Sequence, residues 1–168
     1  MPKIIENPQI RLMEEARRQI ETAGYAAMTV RSVAKACGMG VGTVYNYFTS
    51  KDELLARCML DEWSRCIAVI EAESLRSSTP VPVVQCICTQ LREYARQHEA
   101  LFRDGSARAV FAASLGRYHG LLREQLAAPL ERFCPDRFTA QFVAESLLTW
   151  TMAGADEDRL CEMAAKLF

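Results

Sequence analysis

The sequence predicts an all-α protein: a small three-helix head, a long fourth helix and a helical body. Three observations carry this. Apolar residues recur at three- and four-residue intervals through most of the 168 residues. Helix start and stop signals fall between the periodic segments. No segment alternates apolar and polar residues as a half-buried strand would.

The first helix opens at Asn7-Pro8, an N-cap candidate with proline at the first helical position, and stops at Gly24. Met13, Ala16, Ile20 and Ala23 form its stripe, with Glu14, Arg17 and Arg18 on other faces. A second, short helix starts at Thr29 as N-cap and ends at Cys37-Gly38, with Val30, Val33, Ala34 and Cys37 inward. The exit Cys37-Gly38-Met39-Gly40 leads into a third short helix at about 41–48. Ser50-Lys51-Asp52-Glu53 then reads as a capping box, Ser50 covering the Glu53 amide and the Glu53 carboxylate reaching back. It launches a long fourth helix striped by Leu55, Met59, Trp63, Cys66/Ile67 and Ile70.

Ser77-Ser78-Thr79-Pro80-Val81-Pro82 reads as a linker. A fifth helix at about 82–101 carries Val84, Ile87, Cys88, Leu91, Tyr94 and Ala95, and His98 continues the stripe. Asp104-Gly105-Ser106 interrupts it. The stretch 107–133 carries Phe111, Leu115, Tyr118, Leu122, Leu126, Leu130 and Phe133, and Pro129 should end or kink a helix there. After the turn Cys134-Pro135-Asp136, residues 137–153 are apolar on more than one side. Such a helix needs two surfaces to hide against: its own core and a second subunit. Gly154 closes it, Asp156 caps a last helix, and Leu160, Met163, Ala164 and Leu167 give that helix one stripe. We therefore expect a head at 1–50, a body at 51–168, and a homodimer through the last two helices at about 137–168.

Composition bounds the function classes. A net charge of −1 argues against a protein that coats nucleic acid, although residues 1–57 hold eight Lys/Arg against six Asp/Glu. That leaves +2 in the head and −3 elsewhere, a small bias. Seven cysteines (37, 58, 66, 86, 88, 134 and 161) show no disulfide framework and fit a reducing compartment as small buried groups. No stretch offers the roughly 20 apolar residues of a membrane span. The first residues lack the apolar centre of a secretion signal, so a cytoplasmic location is expected.

Two short helices joined by a tight glycine-containing turn make a helix-turn-helix candidate. In Val41-Gly-Thr-Val-Tyr-Asn-Tyr-Phe48, Val44 and Phe48 anchor one face, which turns Thr43, Asn46 and Tyr47 outward, with Gly42 and Tyr45 at the edges. A solvated helix face usually carries Lys and Glu. This one presents hydroxyls, an amide and phenols, groups that donate to phosphate oxygens.

The run Thr29-Val-Arg-Ser-Val-Ala-Lys-Ala-Cys-Gly-Met-Gly-Val-Gly-Thr-Val-Tyr-Asn-Tyr-Phe-Thr-Ser-Lys-Asp-Glu-Leu-Leu55 resembles the DNA-binding signature of tetracycline-repressor (TetR/AcrR-type) regulators, over about residues 10–57. The resemblance implies double-stranded operator DNA as partner, a dimer, and a variable body that binds a small-molecule effector. It also implies roles. Thr29 would hold a phosphate, and Arg31 would reach a base edge or a phosphate. Val41, Gly42 and Thr43 would enter the major groove, with Asn46 on the same outward face. Tyr45, Tyr47 and Lys51 would brace against the backbone. Two departures stand out: Gly40 where the family often has a serine cap, and Val41 where a polar or basic residue is common. The reading helix thus carries no charge, and readout should lean on thymine methyls met by Val41 and Thr43.

Met59, Trp63, Tyr94, His98, Phe111, Tyr118 and Trp150 are candidates to line an effector cavity, though each is also an ordinary core residue. An interior His98 with satisfied nitrogens is the simpler reading, and His119 lies off the stripe. Cys86 and Cys88, two apart, point to different sides of a helix and cannot grip one ion. No metal, no cofactor and no catalytic constellation is expected. Gly38-Met-Gly-Val-Gly42 lies between helices with no preceding strand, a weak case for nucleotide binding. Two rivals differ in class: a redox or metal sensor on the same scaffold, and a helical interaction protein or enzyme with a vestigial head.

Overall fold

The computed structural model describes residues 7–99, 101 and 105–168, without the side chains at 106–108, 110–117 and 157. Among these the elements are helical: α1 (Pro8–Ala23), α2 (Val30–Ala36), α3 (Val41–Tyr45), α4 (Lys51–Arg76), α5 (Pro80–Gln97), α6 (Gly105–Ala127), a 3-10 turn (Ala128–Leu130), α7 (Arg137–Met152) and α8 (Glu157–Ala165). The chain divides into two units, Met1–Asp61 with Glu99–Ser114, and Glu62–His98 with Leu115–Phe168. The division falls inside α4, and the first residues of that helix belong to the head.

The head core is built by most of the expected stripes, with Leu12 of α1 and Leu54 of α4 joining them, whereas Ala23, expected in the α1 stripe, is exposed. Leu12, Ala16, Val33, Ala34, Val44, Phe48 and Leu54 are fully enclosed, with Met28, Leu55, Cys58 and Met59 nearly so. Gly24 ends α1 with φ +84° and donates its N–H to the Ile20 carbonyl at 2.9 Å. Asn7 precedes α1 as expected, but with φ 49° its side chain caps nothing. On α1 Glu15 accepts two bonds from Arg18 and one from Gln19, which together hold its carboxyl down at about 2.

The body core comes from α5, α7, α8, the α6 end and the rest of α4, with Trp63, Ile70, Val84, Ile87, Leu91, Leu126, Leu130, Val143 and Leu147 buried. Several expectations need adjustment. Pro80 and Pro82 form the first turn of α5, where the missing N–H is no loss, so the linker shrinks to Ser77–Thr79. α5 correspondingly ends at Gln97. Pro129 does end α6, in the 3-10 turn. Asp136 caps α7 by accepting from the Thr139 amide at 2.7 Å, and Asp156 caps α8 through the Arg159 amide at 2.9 Å. The inward stripe of α8 is Leu160, Cys161 and Ala164, whereas Met163 and Leu167 face out. Asp104 and the side chains of Phe111 and Leu115 lie outside the described residues.

Candidate DNA-binding site

α2 is capped at both ends. The Thr29 hydroxyl oxygen accepts from the Ser32 amide at 3.0 Å, and Ser32 Oγ accepts from the Thr29 amide at 3.1 Å. Ser32 also donates to Gln19 Oε1 at 2.5 Å, which ties the start of α2 to α1. At the other end Gly38 takes φ +66°; its N–H reaches the Lys35 carbonyl, and the Met39 N–H reaches the Ala34 carbonyl. These two bonds stop α2 in one residue and turn the chain into α3. A side chain at 38 would strain that turn.

α3 is shorter than periodicity suggests, with Asn46 and Tyr47 in the turn that follows. Its anchors behave as expected: Val44 and Phe48 are wholly buried. Thr43, Tyr45, Asn46 and Tyr47 face outward, with Tyr45 51% and Tyr47 39% exposed. Gly42 faces open space, and a Cβ built there meets nothing within 4 Å. Val41 is only partly exposed, because it leans on the head core. Thr29 and Arg31 are exposed at the start of α2. Thr29, Arg31, Gly42, Thr43, Tyr45, Asn46 and Tyr47 are thus each exposed in the head.

Lys51 differs from these. It is half-buried, its ammonium donates to the Tyr25 carbonyl oxygen at 2.5 Å, and it stands 4.0 Å from the centroid of the Tyr25 ring. The Tyr25 hydroxyl donates in turn to Asp52 Oδ1. Sequence reasoning missed this clamp, because contacts between positions 26 and 27 apart leave no periodic trace. The capping box at the start of α4 also differs in one half. Ser50 Oγ accepts from the Glu53 amide at 3.0 Å, as expected. The Glu53 carboxylate instead takes the amide and hydroxyl of Thr49, at 2.7 and 2.6 Å, and these bonds lower its pKa.

The body holds part of the suspected effector group. Trp63 meets Tyr94 edge-on at 5.6 Å, and Tyr94 lies 4.3 Å from His98, centroid to centroid. His98 Nδ1 faces the Tyr94 carbonyl oxygen at 2.7 Å, and Nε2 meets Glu62 Oε2 at 2.7 Å. The Trp63 indole N–H donates to Gln125 Oε1 at 2.8 Å. Burial, and then the Glu62 carboxylate, push the Tyr94 phenol pKa up. Tyr118 is partly buried against this core. Met59 lies in the head core instead, and Trp150 is 58% exposed on the outward side of α7. Phe111 has no described side chain. His119, which lies off the apolar stripe, is partly buried and contacts Glu145 Oε1 at 3.3 Å.

Residues 12–58 match the profile of "Bacterial regulatory proteins, tetR family". The head is a tetR-family domain. Among curated relatives, the HTH-type transcriptional repressor KstR of Mycobacterium tuberculosis is 31% identical over 103 residues, 61% of this chain and 46% of that protein. KstR of Mycolicibacterium smegmatis matches at 31% over 61% of this chain and 50% of its own length. The chain thus spans about half the length of the curated relatives it matches. The TetR-family repressor AlkX from Dietzia sp. shares the fold with TM-score 0.72 and 19% identity, over 96% of this chain and 92% of that one. The regulator FadR from Bacillus subtilis, solved with stearoyl-CoA, aligns with TM-score 0.55 and 18% identity over 95% and 98%. No helix among the described residues is long and apolar enough to cross a membrane.

Proposed function

We propose that this protein is a DNA-binding transcriptional regulator of the tetR family, a repressor that leaves a palindromic operator when a small apolar or amphipathic effector binds. The observation that carries the reading is the outward surface of α3. Hydroxyl, amide and phenol groups stand exposed on a segment whose inner anchors, Val44 and Phe48, are wholly buried. Surfaces of that kind position a helix on phosphates and leave apolar edges to meet thymine methyls. Thr29, Arg31, Tyr45, Tyr47 and Lys51 would hold the backbone, while Val41, Gly42, Thr43 and Asn46 approach the bases.

The exposed apolar face of α7 supports a homodimer through the last two helices. Phe138 is 75%, Phe142 54% and Trp150 58% exposed, set along one side of the helix, and Met163 of α8 is exposed as well. An apolar face of this kind asks for a second apolar surface. A two-fold dimer would set the reading heads on successive half-sites of a pseudo-palindrome. For the effector, the polar groups around Trp63 and His98 already bond one another, so a polar ligand would have to break those bonds while an apolar one would not. The FadR fold holding stearoyl-CoA is consistent with an apolar chain in such a body. A cytoplasmic, non-catalytic role completes the reading. A thiol sensor is disfavoured because burial raises Cys37, Cys66, Cys86 and Cys134 and so lowers their thiolate fraction.

The test is footprinting on DNA upstream of the protein's own gene. Two protected half-sites related by a two-fold axis are expected, and uniform cutting at concentrations that saturate the protein on other DNA would refute the reading. Because α3 carries no charge, log K against log [salt] should be shallow, well below the slope of about −9 that ten phosphate contacts produce.

A further inference from the structure

Lys51 is the first residue of α4, and a cation there opposes the positive end of the helix dipole. Something must hold it in place. Three contacts converge on one residue, Tyr25. The ammonium bonds the Tyr25 carbonyl oxygen, its charge sits over the Tyr25 ring, and the Tyr25 hydroxyl engages Asp52, the acid next in sequence to the cation. Tyr25 itself is buried, and it follows Gly24, whose φ of +84° turns the chain out of α1. The ring is therefore set by the end of α1, and through it the ammonium is set too.

We propose that Tyr25 is the positioning residue for the Lys51 phosphate contact. The inference rests on the reading of Lys51 as a backbone-binding residue. A lysine stem is flexible, and holding its ammonium before DNA arrives removes the ordering loss that binding would otherwise carry. The carbonyl accepts from the ammonium, and the ring attracts its charge. The hydroxyl bond to Asp52 keeps one carboxylate oxygen of that acid engaged at the ring. Tyr25 thus shapes a contact with DNA that it need not touch.

The experiment uses the full chain and a labelled duplex cut from the protected upstream DNA, with affinity measured across a salt series. Lys51→Met should flatten the log–log slope by about 1.8 per dimer, one phosphate for each head. Tyr25→Leu should flatten it nearly as much, and the double variant no further. Tyr25→Phe keeps the ring, which Tyr25→Leu removes while both keep the backbone carbonyl, and should retain the native slope. Circular dichroism checks folding of each variant. Should Tyr25→Leu fail to fold, the ring-current shift of the Lys51 ε-methylene in the native protein decides: an upfield shift in the free protein that persists on the duplex supports the clamp, and an unshifted methylene overturns it. A native slope in Tyr25→Leu beside a flattened one in Lys51→Met overturns the positioning role and leaves the phosphate contact standing. A native slope in Lys51→Met, or no protected DNA at all, overturns both.

Discussion

The head and the body both leave aromatic residues in water, but of different kinds. Tyr45 and Tyr47 of the head carry hydroxyls, whereas Phe138 and Phe142 of the body carry nothing polar, and Trp150 offers a single N–H. The head surface can stay wet until it meets phosphates. The body surface gains from being covered at once, at about 25 cal/mol for each Å² of apolar area removed from water. The contrast separates two kinds of partner, one reached through hydrogen bonds and one through exclusion of water. It also separates two kinds of similarity: the head matches a family profile, while the whole chain matches its structural neighbours at 15–22% identity.

The strongest way to break the comparison is to remove an anchor of the head. Phe48→Ala in a fully enclosed site should cost about 3–5 kcal/mol. Both tryptophans, Trp63 and Trp150, lie in the second unit, so tryptophan fluorescence follows the body and circular dichroism follows both units. The expected result is an early partial loss of helix signal, loss of operator binding, and an unmoved fluorescence transition. Coincident transitions in both probes would mean that the two units unfold as one and cannot be argued separately.

Next in size is the body face. Phe142→Glu places a charge in the middle of the exposed stripe of α7, and loss of a central interface residue is worth about 2 kcal/mol or more, roughly thirty-fold in dimer affinity. Sedimentation velocity on dilution should show the variant as monomer where the native chain is dimer. If variant and native chain dissociate alike, the stripe is not the dimer surface. Operator affinity should fall in parallel, while the isolated fold keeps its melting temperature.

Much of both surfaces is legible in the sequence. Val44 and Phe48 are four apart, so their burial dictated which residues of that segment face out. Gly24, Gly38 and Gly154 marked the stops because a left-handed residue ends a helix cheaply only without a side chain. The excess of apolar residues in 137–153 signalled a second surface. What escaped has physical reasons. Pro80-Val81-Pro82 reads as a break, yet the first turn of a helix is where proline does least harm. Met59 and Trp63 share a stripe on α4, and one stripe can serve two cores when a helix is 26 residues long. Met163 and Leu167 keep helical spacing with Leu160, but spacing gives a stripe's width and not which edge meets the core. Glu53 reached Thr49 in place of Ser50 because a carboxylate at that site has both an amide and a hydroxyl to choose there.

A subtler test sharpens the head surface itself. Gly42 has open space around it, so Gly42→Ala should fit the free protein and raise its stability, by up to about 1 kcal/mol from helix propensity. If Gly42 lets the backbone approach DNA, the same methyl should weaken operator binding about ten-fold, or about 1.4 kcal/mol. Stability and affinity would then move in opposite directions. Unchanged affinity in a stabilised protein would place Gly42 away from the DNA.

The smallest effect concerns the start of α3. Gly40 is its N-cap, with extended backbone at φ −68° and ψ 144° and no side-chain bond, in contrast to the doubly capped α2. A Cβ at this site would meet only Thr43 Oγ1, at an ordinary 3.7 Å. Gly40→Ser therefore has room, and its hydroxyl oxygen can accept from the Thr43 amide, which now reaches only the Gly40 carbonyl. The gain should be a few tenths of a kcal/mol, since glycine is itself a tolerable cap. Differential scanning calorimetry should show a rise of about 1–3 °C in the head transition, and the body transition should stay put. A fall would mean that the φ and ψ at 40 are not those of a cap, and the geometry assigned to the outward face of α3 would need to be redrawn from its first residue.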